Sequence, residues 1–198
     1  MATVECSMCK SPCDIKKTTN ILEFQLCGFC GWLMERSVGT MIQSKNMKIL
    51  WGQRSLEKQD WIELKSFLRS NGIKSILEYG VGLSTELLLL EDYEVFSLEC
   101  LSFYAQMFSR KVGQNVLHYE AEIGPPELNK KYPLSIIDSP KNGRAKEAAH
   151  AIRHTERFIY MHNPLEDQIS IIEPAGWVPI KSLSQYHGYY RFYEKREA

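Results

Sequence analysis

The stretch ILEYGVGLSTELLLL at residues 76–90 constrains the fold more than any other part of the chain. Its apolar first half has the composition of a buried strand, and two glycines break that strand directly before a leucine-rich helical pattern. A strand that turns into a helix at glycines is typical of parallel α/β sheets, and it presents backbone N–H groups to a ligand. The identity of that ligand is the question that the rest of the sequence has to answer.

Strand and helix patterns alternate on both sides of this stretch. A helix is predicted between Ser55 and the stop signal Asn71-Gly72. Further strands are predicted at 75–79, 94–98, 115–119, 134–137 and 158–161, helices at 84–90, 102–113, 144–154 and 164–172, and a hairpin at 177–182 and 189–194. This order predicts an α/β fold with a mostly parallel, doubly wound seven-stranded sheet that ends in an antiparallel hairpin.

The N-terminal segment carries five of the six cysteines within its first 30 residues. Cys6 and Cys9 form one Cys-x2-Cys knuckle, and Cys27 and Cys30 form a second, a spacing that suits a four-cysteine zinc site. Residues 21–25 alternate like a short strand between the knuckles. The segment resembles a zinc ribbon, in which a structural Zn²⁺ supplies stability that so short a segment lacks.

Cys13 offers an alternative ligand to the first knuckle, but it follows a proline and leads into a polar run. A closed four-cysteine site is structural, and it predicts a docking module for a nucleic acid or a protein partner. We therefore predict a zinc ribbon at 1–35, a connector at 36–54 that packs through apolar side chains, and the α/β domain at 55–198.

The net charge is zero, with 24 basic and 24 acidic residues, so it excludes few classes of binding partner. No run approaches the roughly 18 apolar residues of a membrane helix, and the first ten residues lack the apolar core of a secretory signal. We expect an intracellular protein, cytoplasmic or nuclear, without a membrane partner. The sequence does not indicate an oligomeric state.

Two ligand classes compete for the glycine turn. A dinucleotide site requires Gly-x-Gly-x-x-Gly, but Thr85 stands at the third glycine position. Over residues 50–196 the chain instead resembles class I S-adenosylmethionine-dependent methyltransferases, in the branch with LEYG-x-G-x-ST. The resemblance implies that Gly80 and Gly82 let the backbone approach the methionine part of S-adenosylmethionine, and that Glu78 orients the loop and the cofactor's amino group. It also implies that Ser84 replaces a third glycine and caps the next helix.

Two more acidic residues follow strands in a way that suits this cofactor. Glu99 ends the next predicted strand, and an ionised carboxylate can accept hydrogen bonds from both ribose hydroxyls. Nicotinamide-dependent proteins bind ribose similarly, so Glu99 alone does not discriminate between the two classes. Glu122 follows the third strand, and we expect it to reach the adenine amino group.

The fourth strand ends in Asp138, where the resemblance places the acceptor-side chemistry. Asp138 is a candidate base, a ligand for the cofactor's methionine end or a metal ligand, and Lys141 and Arg144 are candidates to bind an anionic acceptor. A solvated turn is the alternative interpretation of this segment. His162 is interpreted as a structural residue, and His150 and His154 as a solvated helix face.

These residues favour an S-adenosylmethionine-dependent methyltransferase. The sequence does not identify the methyl acceptor, and a nucleic acid, RNA more than DNA, is favoured only because of the zinc ribbon and the basic turns. The first alternative is a non-catalytic binding or assembly protein that keeps the same scaffold. A nicotinamide-dependent oxidoreductase is the third hypothesis, and Thr85 speaks against it.

Overall fold

The structure is a computed structural model that describes residues 3–5, 12–14, 18–21, 24–27, 58–112, 116–139, 143–182 and 190–196. The chain divides into two compact units, residues 1–52 and 53–198. Each unit is described by itself below.

The first unit contains two short antiparallel strand pairs. Strand β1 (Thr3–Glu5) pairs with β2 (Pro12–Asp14), and β3 (Thr18–Ile21) pairs with β4 (Phe24–Cys27). Ile21 lies opposite Phe24, so the predicted single strand over 21–25 is wrong. An alternating pattern can keep its period across two neighbouring strands, and for that reason the sequence alone did not separate β3 from β4.

The second unit alternates strands and helices, as predicted. Its strands are β5 (Ser75–Tyr79), β6 (Glu94–Glu99), β7 (Leu117–His118), β8 (Tyr132–Ile137), β9 (Thr155–His162), β10 (Trp177–Ser182) and β11 (Tyr190–Lys195). Its described helices are α1 (Lys58–Ser70), α2 (Leu83–Leu90), α3 (Ser102–Val112), α4 (Arg144–His154) and α5 (Glu166–Ile172).

The seven strands form one sheet in the order β7-β6-β5-β8-β9-β11-β10. Neighbours from β7 to β9 are parallel, whereas β11 is antiparallel to both β9 and β10. The predicted mostly parallel sheet with a C-terminal antiparallel hairpin is therefore confirmed. Strand order reverses at β5, which lies between β6 and β8, and sheets of this type bind ligands at the carboxyl ends of the strands around such a point.

Both faces of the sheet are covered, which explains why its central strands are apolar along their length. On one face, the α4 residues Ala148 and Ala151 belong to a buried core with Leu77 and Tyr79 of β5. On the other face, Phe67 of α1 contacts aromatic rings of β9 and β11, with ring centroids 4.9 Å from Phe158 and 4.2 Å from Phe192. In the described part of the chain no helix is both long and apolar enough to cross a membrane.

Candidate functional site

Glu78 is the fourth residue of β5, next to the turn that joins β5 to α2, and its side chain is fully buried. Its carboxylate accepts hydrogen bonds from the hydroxyls of Ser84 (2.7 Å), Thr85 (2.8 Å) and Ser97 (3.0 Å). Burial raises the pKa of Glu78 to about 7, although the three hydroxyl groups oppose this shift. These contacts fit the predicted role of Glu78 in orienting the loop. They place the carboxylate beneath the loop, so a direct contact with a ligand's amino group does not follow from them.

Gly80 is required by the fold itself. Its φ of +87° lies in the left-handed region, and a Cβ there would lie 2.6 Å from the carbonyl oxygen of Asp138. The turns that follow β5 and β8 thus touch backbone to backbone. Hydrogen bonds from the Asp138 N–H to the Tyr79 carbonyl (2.9 Å) and from the Gly80 N–H to the Leu98 carbonyl (2.8 Å) hold this arrangement.

Gly82 differs from Gly80 because no described residue lies close to the position that its Cβ would take. Its φ of −173° is extended, and a Cβ would meet no atom of the described chain within 4 Å. The Gly82 N–H donates to the hydroxyl of Thr85 (2.9 Å), and Gly82 is the N-cap of α2. Ser84 was expected to cap this helix, but it lies in the first helical turn with its hydroxyl on Glu78. Thr85 performs the capping contact instead.

Glu99 lies at the end of β6 and is 2% exposed. Its Oε2 accepts a hydrogen bond from the Val81 N–H (3.0 Å), and its Oε1 accepts one from the Leu101 N–H (2.7 Å). Burial raises the pKa of Glu99, and the backbone hydrogen bonds partly offset this effect. Each carboxylate oxygen can accept a second hydrogen bond, so the predicted contacts from two ribose hydroxyls fit the acceptor capacity of Glu99.

Asp138 and His162 form a pair at the carboxyl ends of β8 and β9. The Asp138 Oδ1 lies 2.9 Å from the His162 Nδ1, and the His162 Nε2 lies 3.7 Å from the Asp60 Oδ2 of α1. Burial lowers the pKa of His162, but the hydrogen bond that its Nδ1–H donates to Asp138 and the charges of Asp138 and Asp60 raise it above its ordinary value. Asp138 thus faces a partner that can hold a proton.

This pair was not predicted, although a signal for it was available. Ile137 pairs with Met161 in the parallel register of β8 and β9, so the residues that follow them are neighbours. The register of two strands depends on contacts between residues that are distant in sequence. The apolar patterns predict each strand, but they do not predict which residues of the two strands lie opposite each other.

The sequence predicts that Arg144 binds an anionic acceptor, but its side chain contacts backbone carbonyls instead. It is 7% exposed, its Nε donates to the Ser139 carbonyl (2.6 Å), and its Nη1 donates to the carbonyls of His162 (3.2 Å) and Asn163. These contacts join the turns after β8 and β9, which indicates a structural role rather than capture of an anionic acceptor. Lys141 lies outside the described residues.

Glu122 is exposed in the turn after β7. The contact that the structure gives to this residue is at its backbone carbonyl, which accepts a hydrogen bond from the Lys146 ammonium group. The predicted contact of its carboxylate with an adenine amino group remains a prediction.

Glu147 of α4 was missed by the sequence reasoning, and it is a further buried carboxyl group in this region. The hydroxyls of Tyr119 and Ser139 donate to its two oxygens, and its side chain is fully buried. Burial raises the pKa of Glu147 to about 7, against the lowering effect of the two hydroxyls. In the sequence Glu147 is one of several charged residues of a helix, so no local pattern distinguished it.

His150 and His154 are buried, so the interpretation as a solvated helix face is wrong. The Tyr79 hydroxyl donates to the His150 Nδ1 (2.7 Å), and the His150 Nε2–H donates to the Pro126 carbonyl (2.8 Å). Burial lowers the pKa of His150 to about 4, so the ring is neutral near pH 7. Among the described residues no group of three or more His, Cys, Asp or Glu side chains is placed to hold a metal ion.

Most of the predicted zinc ligands lie outside the residues that the structure describes. Cys6, Cys9 and Cys30 lie outside the described residues, and Cys27 is described only as the last residue of β4. Cys13 lies inside β2, where it pairs with Val4. The zinc ribbon therefore stays a prediction.

No protein-family model and no curated protein sequence matches the chain. Solved structures are similar in fold. A Klebsiella pneumoniae protein assigned as an O-methyltransferase has a TM-score of 0.55 at 15% identity, with 84% of this chain and 90% of that chain covered. The sugar N-methyltransferase KedS8 from Streptoalloteichus sp ATCC 53650 has a TM-score of 0.54 at 12% identity, with coverages of 80% and 92%. An O-methyltransferase from Bacillus cereus in complex with SAH has a TM-score of 0.52 at 12% identity, with coverages of 83% and 96%. These similarities establish the fold of class I S-adenosylmethionine-dependent methyltransferases.

Proposed function

We propose that the chain is an S-adenosylmethionine-dependent methyltransferase. The observation that carries this proposal is the open space at Gly82, which lies one residue from the N–H group that Glu99 binds. A backbone free of side chains beside a carboxylate that keeps acceptor capacity is the combination that a nucleoside with a charged tail requires. The point where strand order reverses is the place where this fold binds its ligands.

The residues of the turn have separate parts in holding S-adenosylmethionine. Glu99 would accept the ribose hydroxyls, and residues 80–82 would lie against the methionine portion. Glu78 acts indirectly, because its hydrogen bonds to Ser84 and Thr85 fix the start of α2. When bound, the cofactor supplies a methyl group on a positively charged sulfur, which makes the methyl carbon electrophilic. Asp138 would lie on the acceptor side, at the neighbouring strand end.

Calorimetry with S-adenosylmethionine and with S-adenosylhomocysteine tests this assignment. Both are expected to bind the full chain, and Glu99→Gln is expected to weaken binding by at least about tenfold, because a neutral amide replaces a charged acceptor. Glu94→Gln is the matched control, since Glu94 begins the same strand and pairs with Lys130 at the surface. Equal affinities of wild type and Glu99→Gln would contradict the ribose contact.

A non-catalytic binding protein on the same scaffold is the second candidate. It is favoured by one observation, namely that Arg144 uses its donors on backbone carbonyls instead of facing an acceptor. The same titration separates the two functions, because no binding of either nucleoside at millimolar concentration would favour the scaffold protein. A titration with NADH tests the oxidoreductase hypothesis, in which Thr85 would have to permit close approach of a pyrophosphate although its hydroxyl is held by Glu78.

We also propose one structural Zn²⁺ in the N-terminal unit, held by Cys6, Cys9, Cys27 and Cys30. The strand bounds support this ligand set, because β1 ends directly before Cys6 and β4 ends at Cys27, as expected for knuckles that follow strands. Cys13 pairs with Val4 inside a strand and fits a knuckle less well. This unit is the part through which we expect an RNA or protein partner to bind.

Metal analysis of the purified full chain tests the zinc site. One zinc ion per chain is expected, and Cys6→Ser or Cys27→Ser should each reduce the content to well below one. Cys13→Ser is the matched control and should keep the metal. A zinc content far below one in the wild type, or loss of zinc in Cys13→Ser alone, would refute this ligand set.

A further inference from the structure

Three carboxylates lie at the carboxyl ends of β5, β6 and β8, around the glycine turn. They belong to Glu78 in β5, Glu99 at the end of β6 and Asp138 directly after β8. S-adenosylmethionine carries an ammonium group on its methionine portion, and ionised carboxylates are strong acceptors for the hydrogen bonds that such a group donates. The resemblance implies that Glu78 orients this group. Which of the three carboxylates can accept from it depends on the acceptor positions that each has left.

Glu78 is almost fully used within the chain. Its Oε1 accepts a hydrogen bond from Ser84, and its Oε2 accepts hydrogen bonds from Thr85 and Ser97. An ionised carboxylate has about four acceptor positions, and the one that remains is enclosed with the side chain, which is fully buried. An ammonium group could reach Glu78 only by opening the contacts that hold the start of α2. Glu78 is therefore poorly placed to bind a ligand directly.

Glu99 and Asp138 lie on opposite sides of the glycine turn. In the sheet, β6 and β8 are the two neighbours of β5. Glu99 is fastened to the turn by the Val81 N–H, and its remaining acceptor positions suit the ribose hydroxyls. A nucleoside whose ribose is held at Glu99 and whose methionine portion lies along residues 80–82 directs its charged tail towards the end of β8.

Asp138 has one oxygen that is held by the chain and one that is open. Its Oδ1 lies 2.9 Å from the His162 Nδ1, and because an ionised carboxylate only accepts hydrogen bonds, this nitrogen carries the hydrogen. Its Oδ2 has no hydrogen-bond partner among the described residues. The side chain of Asp138 is 21% exposed, whereas Glu78 has no exposed surface. Asp138 is thus the member of the three that offers an accessible and unused acceptor.

Asp138 also touches the turn that we assign to the methionine portion. The register of β5 and β8 pairs Tyr79 with Ile137, so positions 80 and 138 follow as neighbours. The Asp138 N–H donates to the Tyr79 carbonyl (2.9 Å), and the Asp138 carbonyl oxygen lies 2.6 Å from the position that a Cβ of Gly80 would take. The open oxygen therefore belongs to a residue that adjoins the assigned position of the methionine portion.

Arg144 fastens the backbone beside both members of the Asp138–His162 pair. Its Nε donates to the Ser139 carbonyl (2.6 Å), and its Nη1 donates to the His162 carbonyl (3.2 Å). The two strand ends that carry the pair are thus tied together by the backbone as well as by the side chains. A group that is held in place before its ligand arrives loses less conformational entropy on binding, so the open oxygen of Asp138 is a preformed acceptor.

We propose that the Oδ2 of Asp138 accepts a hydrogen bond from the ammonium group of the cofactor's methionine portion, and that His162 is the positioning residue that holds Asp138 for this contact. The proposal rests on the proposed methyltransferase function, and it reassigns to Asp138 the contact that the resemblance gives to Glu78. Glu99 and Asp138 then hold the two ends of one ligand, with the glycine turn between them.

Calorimetry of the full chain with S-adenosylhomocysteine and with its analogue that lacks the α-amino group tests this contact. Wild type should bind the analogue at least about tenfold more weakly. In Asp138→Asn the two affinities should become nearly equal, because the His162 N–H holds the amide oxygen and the open position then carries an NH2 group, which cannot accept. Glu78→Gln should weaken both ligands by the same factor. Asp92→Asn, at an exposed position before β6, is the matched control and should keep the wild-type ratio.

Two variants of His162 test its positioning role. His162→Leu removes the hydrogen-bond donor to Asp138 and should bring the ratio of the two affinities close to one. His162→Asn keeps an N–H group near the place of Nδ1 and should restore most of the ratio. A merely structural role of His162 would weaken both ligands equally and leave the ratio unchanged.

The outcomes separate this proposal from the one it rests on. Binding of S-adenosylhomocysteine with equal affinity for its deaminated analogue in wild type, or with an unchanged ratio in Asp138→Asn, would overturn the ammonium contact alone. Absence of binding of both S-adenosylmethionine and S-adenosylhomocysteine would overturn both proposals. If Asp138→Asn does not fold, the ratio in His162→Leu decides, and a wild-type ratio there would refute the contact.

Discussion

Gly82→Asn is expected to weaken binding of S-adenosylmethionine about 10- to 100-fold while leaving the stability of the domain nearly unchanged. The substituted side chain would enter the open space beside the turn, which we assign to the cofactor, and it would meet no atom of the described chain within 4 Å of its Cβ. Asn is also a favoured N-cap residue, so the start of α2 should not suffer. Calorimetry and urea unfolding of the same preparation measure the two effects.

Gly80→Ala is the complementary substitution, and we expect it to lower the stability of the domain. Its Cβ would lie 2.6 Å from the Asp138 carbonyl oxygen in a backbone with φ of +87°, so both the clash and the left-handed conformation act against it. We expect a loss of about 3 kcal/mol or more in the free energy of unfolding. Unchanged cofactor affinity in Gly82→Asn would refute the assigned cofactor position, and wild-type stability of Gly80→Ala would refute the close contact between the two turns.

Glu147→Gln is expected to remove a large pH dependence from the stability of the domain. The pKa of Glu147 is about 7 in the folded chain, against an ordinary value of 4.5. A carboxyl group with a raised pKa in the folded state contributes stability that is fully present below pH 4.5 and is lost as pH rises to 7. The shift corresponds to about 3 kcal/mol, at about 1.4 kcal/mol for each pH unit.

The measurement is the difference in unfolding free energy between wild type and Glu147→Gln at pH 5 and at pH 8. Wild type should lose stability relative to the variant by up to about 3 kcal/mol between these values. Glu78 changes with pH in the same direction and His150 in the opposite one, but both are present in the two proteins and cancel in the difference. A difference that does not vary with pH would show that Glu147 is ionised throughout.

Local sequence patterns were sufficient to predict the helices and strands of the α/β fold. Strand β5 and helix α4 have the predicted bounds, because buried strands and amphipathic helices are marked by periodicity within a few residues. The turn after β5 was located for the same reason, since its glycines and Glu78 lie within a single stretch of sequence. The prediction failed at β3 and β4, where one apolar alternation covers both strands of a hairpin.

The acceptor side depends on contacts between residues far apart in the chain. Asp138 meets His162 through strand register, and Asp60 reaches His162 through the packing of α1 on the sheet. The burial of Arg144 and Glu147 is likewise decided by what covers α4, and no local pattern encodes this. Sequence reasoning thus located the turn whose contacts lie within one stretch of sequence, and it missed the pairing of Asp138 with His162, which depends on the register of two strands.

The backbone contact between Gly80 and Asp138 has a consequence for engineering. The two turns are in backbone contact, so a substitution that displaces position 138 would also disturb the loop at 80–82. Asp60 and Glu63 of α1, in contrast, contact the sheet through their side chains. Substitutions at these two positions would therefore leave the contact between the two turns intact.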